Sequence, residues 1–308
     1  MPTINKPFLL RLVLVVAVLA GVLFGTHAIQ AGRIPDALLR QAERAAENDK
    51  TDLAIRYLRQ YLEFSPDDVD AQIRLVELIK KRNPNPRGQS EVVFLYERIL
   101  RIKPDHESVR RDALAAALKL GRYSDAVTHA EALLKTFPAD AALWHQLGSA
   151  QTGLHQIPQA RESFETAIRH DPGEMIGYQR LAQLVWKHQN DAVGARAVLD
   201  RMTKAVPQNA DAHLIRARFE AFLADDGGTV PADMNRELVE LRRVLELDPE
   251  HAEASVMLAE LYQRQRKIPA AHAVLRDAVA LYPRDLKLVR SLSWLELMRG
   301  NTPAAIAV

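Results

Sequence analysis

AALWHQLGSAQTGLHQIPQARESFETAIRHDP, from Ala141 to Pro172, is the stretch whose reading decides the fold. Residue size alternates along it in a fixed order: Trp144 and Leu147 are large, Gly148 and Ala160 small, Phe164 large, Ala167 small, and Pro172 closes the run. Two helices pack closely only where one offers a small residue opposite the other's bulk. Gly148 and Ala160 therefore mark a closest approach, and Trp144, Leu147 and Phe164 fill the space around it. A lone helix pair of this size leaves an apolar face uncovered and must stack on further copies of itself.

Working outward, the prolines repeat the punctuation. Pro66, Pro104, Pro138, Pro172, Pro207, Pro249 and Pro283 are separated by 38, 34, 34, 35, 42 and 34 residues. Proline ends one helix and is tolerated at the start of the next, and the acidic residues beside several of these prolines suit a helix N-terminus. A second set, Pro158, Pro269 and Pro303, falls where the second helix of a unit begins and a missing N–H does no harm. Thr51, Ser90 and Ser124 are the expected hydroxyl caps of the equivalent helices. Units are expected over residues 35–66, 69–104, 107–138, 141–172, 175–207, 210–249 and 252–283, with a partial unit over 286–308. In the first helices the small position falls to Ala42, Val76, Leu114, Gly148, Ala182, Ala217 and Ala259. In the second helices it falls to Ala54, Val92, Ala126, Ala160, Ala195, Glu237 and Ala271. Glu237 departs from the pattern and follows the insertion DDGGTVPAD (Asp225–Asp233), which predicts a loosened turn; NPNPR (Asn83–Arg87) reads as a stiff loop.

This order of large and small positions resembles the tetratricopeptide repeat. The resemblance covers most of the chain and implies an all-α, right-handed superhelix of seven full repeats and a truncated eighth. It is the signature of a binding scaffold and leaves the ligand open. The partial unit stops halfway through a helix, and solenoids need a polar cap, so the 308 residues are expected to be the N-terminal part of a longer polypeptide.

Composition agrees. The chain is 48% hydrophobic and 6% aromatic and rich in helix formers, so almost no strand is expected. With 41 basic and 39 acidic residues, the net charge of +2 gives no nucleic-acid footprint. The absence of cysteine removes disulfides, thiol catalysis and thiolate zinc sites.

The first thirty residues differ in kind. A basic tail, residues 1–11 with Lys6 and Arg11, precedes an apolar run over 12–29. Eighteen helical residues span ~27 Å, close to the hydrocarbon thickness of a bilayer. An uncleaved transmembrane helix and a cleaved signal peptide both fit; Thr26, His27 and Ala28 make a mediocre cleavage site. The basic tail favours a cytoplasmic N-terminus, with the repeats on the outer side of the inner membrane, or secreted if the signal is cleaved.

No phosphate-binding, dinucleotide-binding, zinc-protease or nucleophile-elbow string is present, so no enzyme, cofactor, metal or small-molecule substrate is expected. His145, His155, His170 and His188 lack ligand spacing and read as solvated or capping residues, and Trp144 reads as core. In the tetratricopeptide family the first helices line a concave groove. Its ligand positions transfer here to Arg74, Glu77, Lys80 and Lys81, then Arg111 and Lys119, then His145, Gln146 and Ser149, then Gln179, Arg180, Gln183 and Trp186. This strip is cationic at one end and amide-rich in the middle, and suits an extended or helical acidic peptide with Trp186 as an apolar or cation-binding platform. The family's carboxylate clamp is not expected, because Ala115 stands where its first Asn belongs.

The leading expectation is thus a membrane-tethered scaffold or adaptor that holds a peptide or partner protein in its groove. The resemblance implies a role in assembly or quality control of envelope complexes. The alternative is an arm of a larger secretion or enzymatic machine, such as exopolysaccharide export, whose working domain follows residue 308.

Overall fold

The computed structural model describes residues 34–82, 86–225, 233–301 and 305. The N-terminal tail and the apolar run over 12–29 lie outside the described residues, as do 83–85, 226–232 and Pro303. Among the described residues there is no β-strand, and no helix is long and apolar enough to cross a membrane.

The chain divides into two compact units, Met1–His129 and Ala130–Val308. The first contains α1 (residues 34–47) with α2 (Thr51–Phe64), α3 (Val69–Arg82) with α4 (Pro86–Ile102), and α5 (Glu107–Lys119). The division falls within α6 (Tyr123–Thr136). The second contains α7 (Ala141–Gly153) with α8 (Ile157–His170), α9 (Met175–Gln189) with α10 (Ala192–Ala205), α11 (Ala210–Asp225) with α12 (Met234–Leu247), α13 (Ala252–Arg264) with α14 (Ile268–Leu281), and α15 (Leu286–Met298). Within each unit every helix packs on its chain neighbour, as helix–turn–helix stacking requires.

The small positions lie in the interior of the helix pairs. All seven of the first-helix residues and all seven of the second-helix residues named above are buried. Gly148 is the sharpest case: a Cβ there would lie 2.8 Å from the Phe164 ring, nearer than side-chain carbons approach. The Phe164 ring thus lies directly against the α7 backbone, and Ala160 beside it is fully buried.

Two turn types alternate. Six of the first helices, α1, α5, α7, α9, α13 and α15, are followed by a left-handed residue: Asp49, Gly121, His155, Asn190, Arg266 and Gly300 all have φ between 50° and 77°. After most of them the next amide reaches back to a carbonyl five residues earlier, as Gln156 does to Gln151 and Lys267 to Tyr262, which satisfies the orphan carbonyls of the helix end. The second helix then begins with Pro158 or Pro269 in its first turn where the sequence supplies one. Thr51 and Ser124 do not cap, because they already lie inside α2 and α6; Ser90 lies within α4, which starts at Pro86, so Pro86 and Arg87 of NPNPR belong to a helix rather than to a loop. A cap must keep non-helical dihedrals, whereas Thr51 is the first helical residue of α2 and the other two helices start before their hydroxyls.

The other turn is built on proline. In all seven, the residue two places after proline donates its amide to the carbonyl of the residue before proline, as Asp140 does to Phe137 and Asp285 to Tyr282. That same residue caps the following helix: Asp68, Asp140, Glu174, Asn209, His251 and Asp285 each accept an amide of the next turn. The proline carbonyl is used too. The fourth residue of the next helix donates to it in five consecutive repeats, from Gln72 to Pro66 at 2.6 Å, Arg110 to Pro104 at 2.5 Å, Trp144 to Pro138 at 2.7 Å, Tyr178 to Pro172 at 3.2 Å and His213 to Pro207 at 3.2 Å. Trp144 is accordingly half-buried rather than core, its indole N–H fastened to the turn.

The sixth repeat also relies on buried carboxylates. Glu220 is buried on α11, accepts both Arg196 Nε at 2.8 Å and Arg196 Nη2 at 2.7 Å, and also receives the Asp233 amide where the chain re-enters α12. Glu240 is buried between His213 at 2.6 Å and Arg216 at 2.8 Å. Glu237, which departs from the small-residue pattern, is fully buried and paired with Arg264 on α13. A carboxylate at a small position is tolerated because a guanidinium neutralises it in place.

Two outcomes follow from this geometry. Gly148→Ala should destabilise the chain by ~1–3 kcal/mol despite alanine's better helix propensity, and Phe164→Leu in the same chain should recover part of the loss; urea melts of the single and double variants check this. Tyr178→Phe keeps the ring and removes the donor to Pro172, and should cost about 1 kcal/mol. An unchanged midpoint would show that the proline carbonyl is served equally well by water.

Candidate functional site

α9 carries two faces at helical spacing. Tyr178, Leu181, Leu184 and Val185 are buried against neighbouring helices, while Gln179, Arg180, Gln183, Trp186 and Lys187 recur three and four apart along the other side. α11 answers with Ile215, Arg218, Phe219 and Phe222 at the same spacing. Together these faces line a groove of about 500 Å³ within the second unit.

The floor is aromatic. Trp186 stands edge-on to two rings at once, its centroid 6.5 Å from Phe219 and 6.4 Å from Phe222 with both interplanar angles at 86°, the arrangement favoured by ring quadrupoles. It is 9% exposed, so it is a wall of the groove rather than the free platform expected from sequence. Phe222 supplies the accessible ring at 44% exposure.

The rim is cationic and unevenly neutralised. Arg218 is held bidentate by Glu253, at 3.0 and 2.5 Å. Arg180 is exposed and donates to the neutral Gln183 Oε1 at 3.4 Å. Lys187 is exposed and has no ion-pair partner among the described residues.

The remaining expected ligand residues lie elsewhere. His145 is half-buried with its ring 6.0 Å from that of Phe164; burial first, and the Arg180 charge second, hold its imidazole below its ordinary pKa. Ser149 donates to the His145 carbonyl at 3.0 Å, and Gln146 is half-buried; none of the three lines the α9–α11 groove.

In the first unit the cations are spent on neighbours. Arg74 pairs with Glu43 at 2.6 Å and shares its pocket with Glu47 and Glu77, so this end is acidic rather than cationic. Lys81 pairs with Asp49, Lys80 with Asp112, and Arg111 with Glu107 one turn back. Lys80 and Lys119 border a smaller, mainly apolar pocket of about 330 Å³ that the small side chains of Ala115 and Ala116 leave open. Tyr96 donates to Asp112 there at 2.9 Å, and burial with that carboxylate pushes its phenol pKa up.

His155 and His188, distant in sequence, come together with rings 6.3 Å apart. Among the described residues no three His, Cys, Asp or Glu side chains converge as metal ligands would. Sequence reasoning missed Ile215, Arg218, Phe219, Phe222 and Lys187. The same ligand-position rule applied to the sixth repeat reaches Arg218 at position nine and Phe222 at position thirteen.

Three stretches, residues 108–150, 145–210 and 238–307, match the tetratricopeptide repeat, and together they cover more than half of the chain. Among solved structures, the C-terminal part of a tetratricopeptide repeat protein of Cytophaga hutchinsonii is similar at 17% identity and a TM-score of 0.52, over 82% of this chain and 99% of that one. A tetratricopeptide repeat protein of Parabacteroides merdae is similar at 12% identity and a TM-score of 0.50, over 85% and 99%. MamA of Desulfovibrio magneticus is similar at 20% identity and a TM-score of 0.46, over 57% and 97%. At these identities the likeness is one of fold. No curated protein matches the chain. The three family matches, which fall on its proline-punctuated helix pairs, lead to one conclusion: the chain belongs to the tetratricopeptide repeat family.

Proposed function

We propose that this chain is a protein-interaction scaffold that holds a segment of a partner protein in the groove between α9 and α11. One observation carries the reading: Gln179, Arg180, Gln183 and Trp186, picked out by repeat position alone, line a single groove and face an aromatic stripe across it. Exposed amides can pair with the backbone of an extended segment, and half-exposed rings offer an apolar seat. The work is binding rather than catalysis, since no nucleophile and base are arranged along these walls.

The tether belongs to the same proposal. Residues 12–29 supply an apolar run of bilayer length behind Lys6 and Arg11, which supports a single span with the repeats on the extracytoplasmic side of the inner membrane. A scaffold held there meets partners confined to the same surface, which fits a part in assembling or surveying envelope complexes.

The test is photocrosslinking in membranes, with a photoreactive residue at Gln183 and a control at Glu162 on α8. A partner captured from Gln183 and absent from Glu162 is the expected result; equal capture, or none, from the two positions would remove the groove as the working surface.

A further inference from the structure

We infer that the α9–α11 groove selects a partner segment in which an aromatic side chain is flanked by carboxylates. This rests on the groove being the binding surface and adds the chemistry of what it binds.

The apolar half of the argument is the ring geometry. Trp186 is locked edge-on between Phe219 and Phe222, so the floor is set before any ligand arrives and little conformational freedom remains to be lost on binding. Phe222 keeps nearly half its surface in water, and Ile215 and Phe219 are only half-buried. The rings that do pack here pack at right angles, and a further ring can continue that arrangement against the open Phe222. The space, about 500 Å³, is open to solvent along its length and large enough to seat a side chain.

The electrostatic half is the sign of the groove's charge. No acidic residue lines it. Of its three cations only Arg218 is matched by a carboxylate, Glu253 of the next repeat. Arg180 and Lys187 stand one above the other at opposite ends of two helical turns, and neither meets a carboxylate among the described residues. A ligand that seats a ring between them brings flanking carboxylates to both cations, and the exposed amide of Gln183 lies between to accept or donate to its backbone. Because the pairs form at a wet rim, they confer preference among ligands more than raw affinity.

The experiment uses the 308-residue chain labelled with 5-fluorotryptophan. Its three tryptophans, Trp144, Trp186 and Trp294, give three fluorine resonances assigned by single Trp→Phe substitutions. Three capped tripeptides are titrated: acetyl-Asp-Phe-Asp-amide, acetyl-Lys-Phe-Lys-amide and acetyl-Asp-Ser-Asp-amide. The first should move the Trp186 resonance and leave Trp144 in place. The other two should need about tenfold more peptide, the effect of losing two exposed ion pairs or the ring. Arg180→Glu with Lys187→Glu, both at exposed positions, should reverse the order of the two charged peptides, and unchanged Trp144 and Trp294 resonances show that the variant is folded.

Equal response to all three peptides, preference for the basic one, or a static Trp186 resonance would each overturn the assignment. So would a Trp186 resonance that shifts with protein concentration alone, which would give the groove to a second copy of this chain. Crosslinking separates the two levels of inference: capture from Gln183 without peptide preference sinks only the ligand chemistry, whereas no capture from Gln183 sinks the groove and this inference with it.

Discussion

A solenoid of helix pairs stands or falls on how near its helices can come. Here the limit is a ring against bare backbone, Phe164 against Gly148, with Ala160 fully buried alongside. Every other repeat meets the same constraint with a different compromise, using Val76 opposite Val92, Leu114 with Ala126, or Ala182 with Ala195. The turns then need only deliver each helix at the correct axial level. Both do so by exhausting their backbone groups: left-handed residues tie off one end, and at the other the proline turn engages its amide, its cap and its carbonyl.

Much of this was legible in the chain. Prolines and small residues are chemically singular, and few others can do what they do at a helix start or a close approach, so their spacing gave the helix pairs. The fourth-position donors were not legible, since Gln72, Arg110, Trp144, Tyr178 and His213 share nothing but an N–H or O–H at the end of a side chain. A pattern of function without a pattern of identity is invisible to residue-by-residue reading, and Trp144 was accordingly taken for bulk. The hydroxyl caps failed for a related reason: Thr51 and Ser124 are good capping residues in general, but the left-handed turn before them leaves the chain already helical when it reaches them.

The site was half legible. Repeat position found the amide and indole side of the groove, because position determines which face of a helix is free. It could not tell which cations are free, because that depends on carboxylates about one repeat away, as Glu43 is from Arg74 and Asp49 from Lys81. Charge read along a sequence is a property of residues; charge offered to a ligand is a property of pairs.

The buried carboxylates of the sixth repeat bear on how such a chain can change by descent. Arrays of this kind grow and shrink by copying or losing whole units, which is harmless when neighbours meet through interchangeable apolar faces. Glu220 is answered by Arg196 in the repeat before it, and Glu237 by Arg264 in the repeat after. Deleting repeat five would strand Glu220 and deleting repeat seven would strand Glu237, each a loss of roughly 3–5 kcal/mol. Repeats five to seven are therefore tied together by buried charge, and the groove between α9 and α11 lies inside that block, so a change of repeat number there puts the binding surface and the fold at risk together.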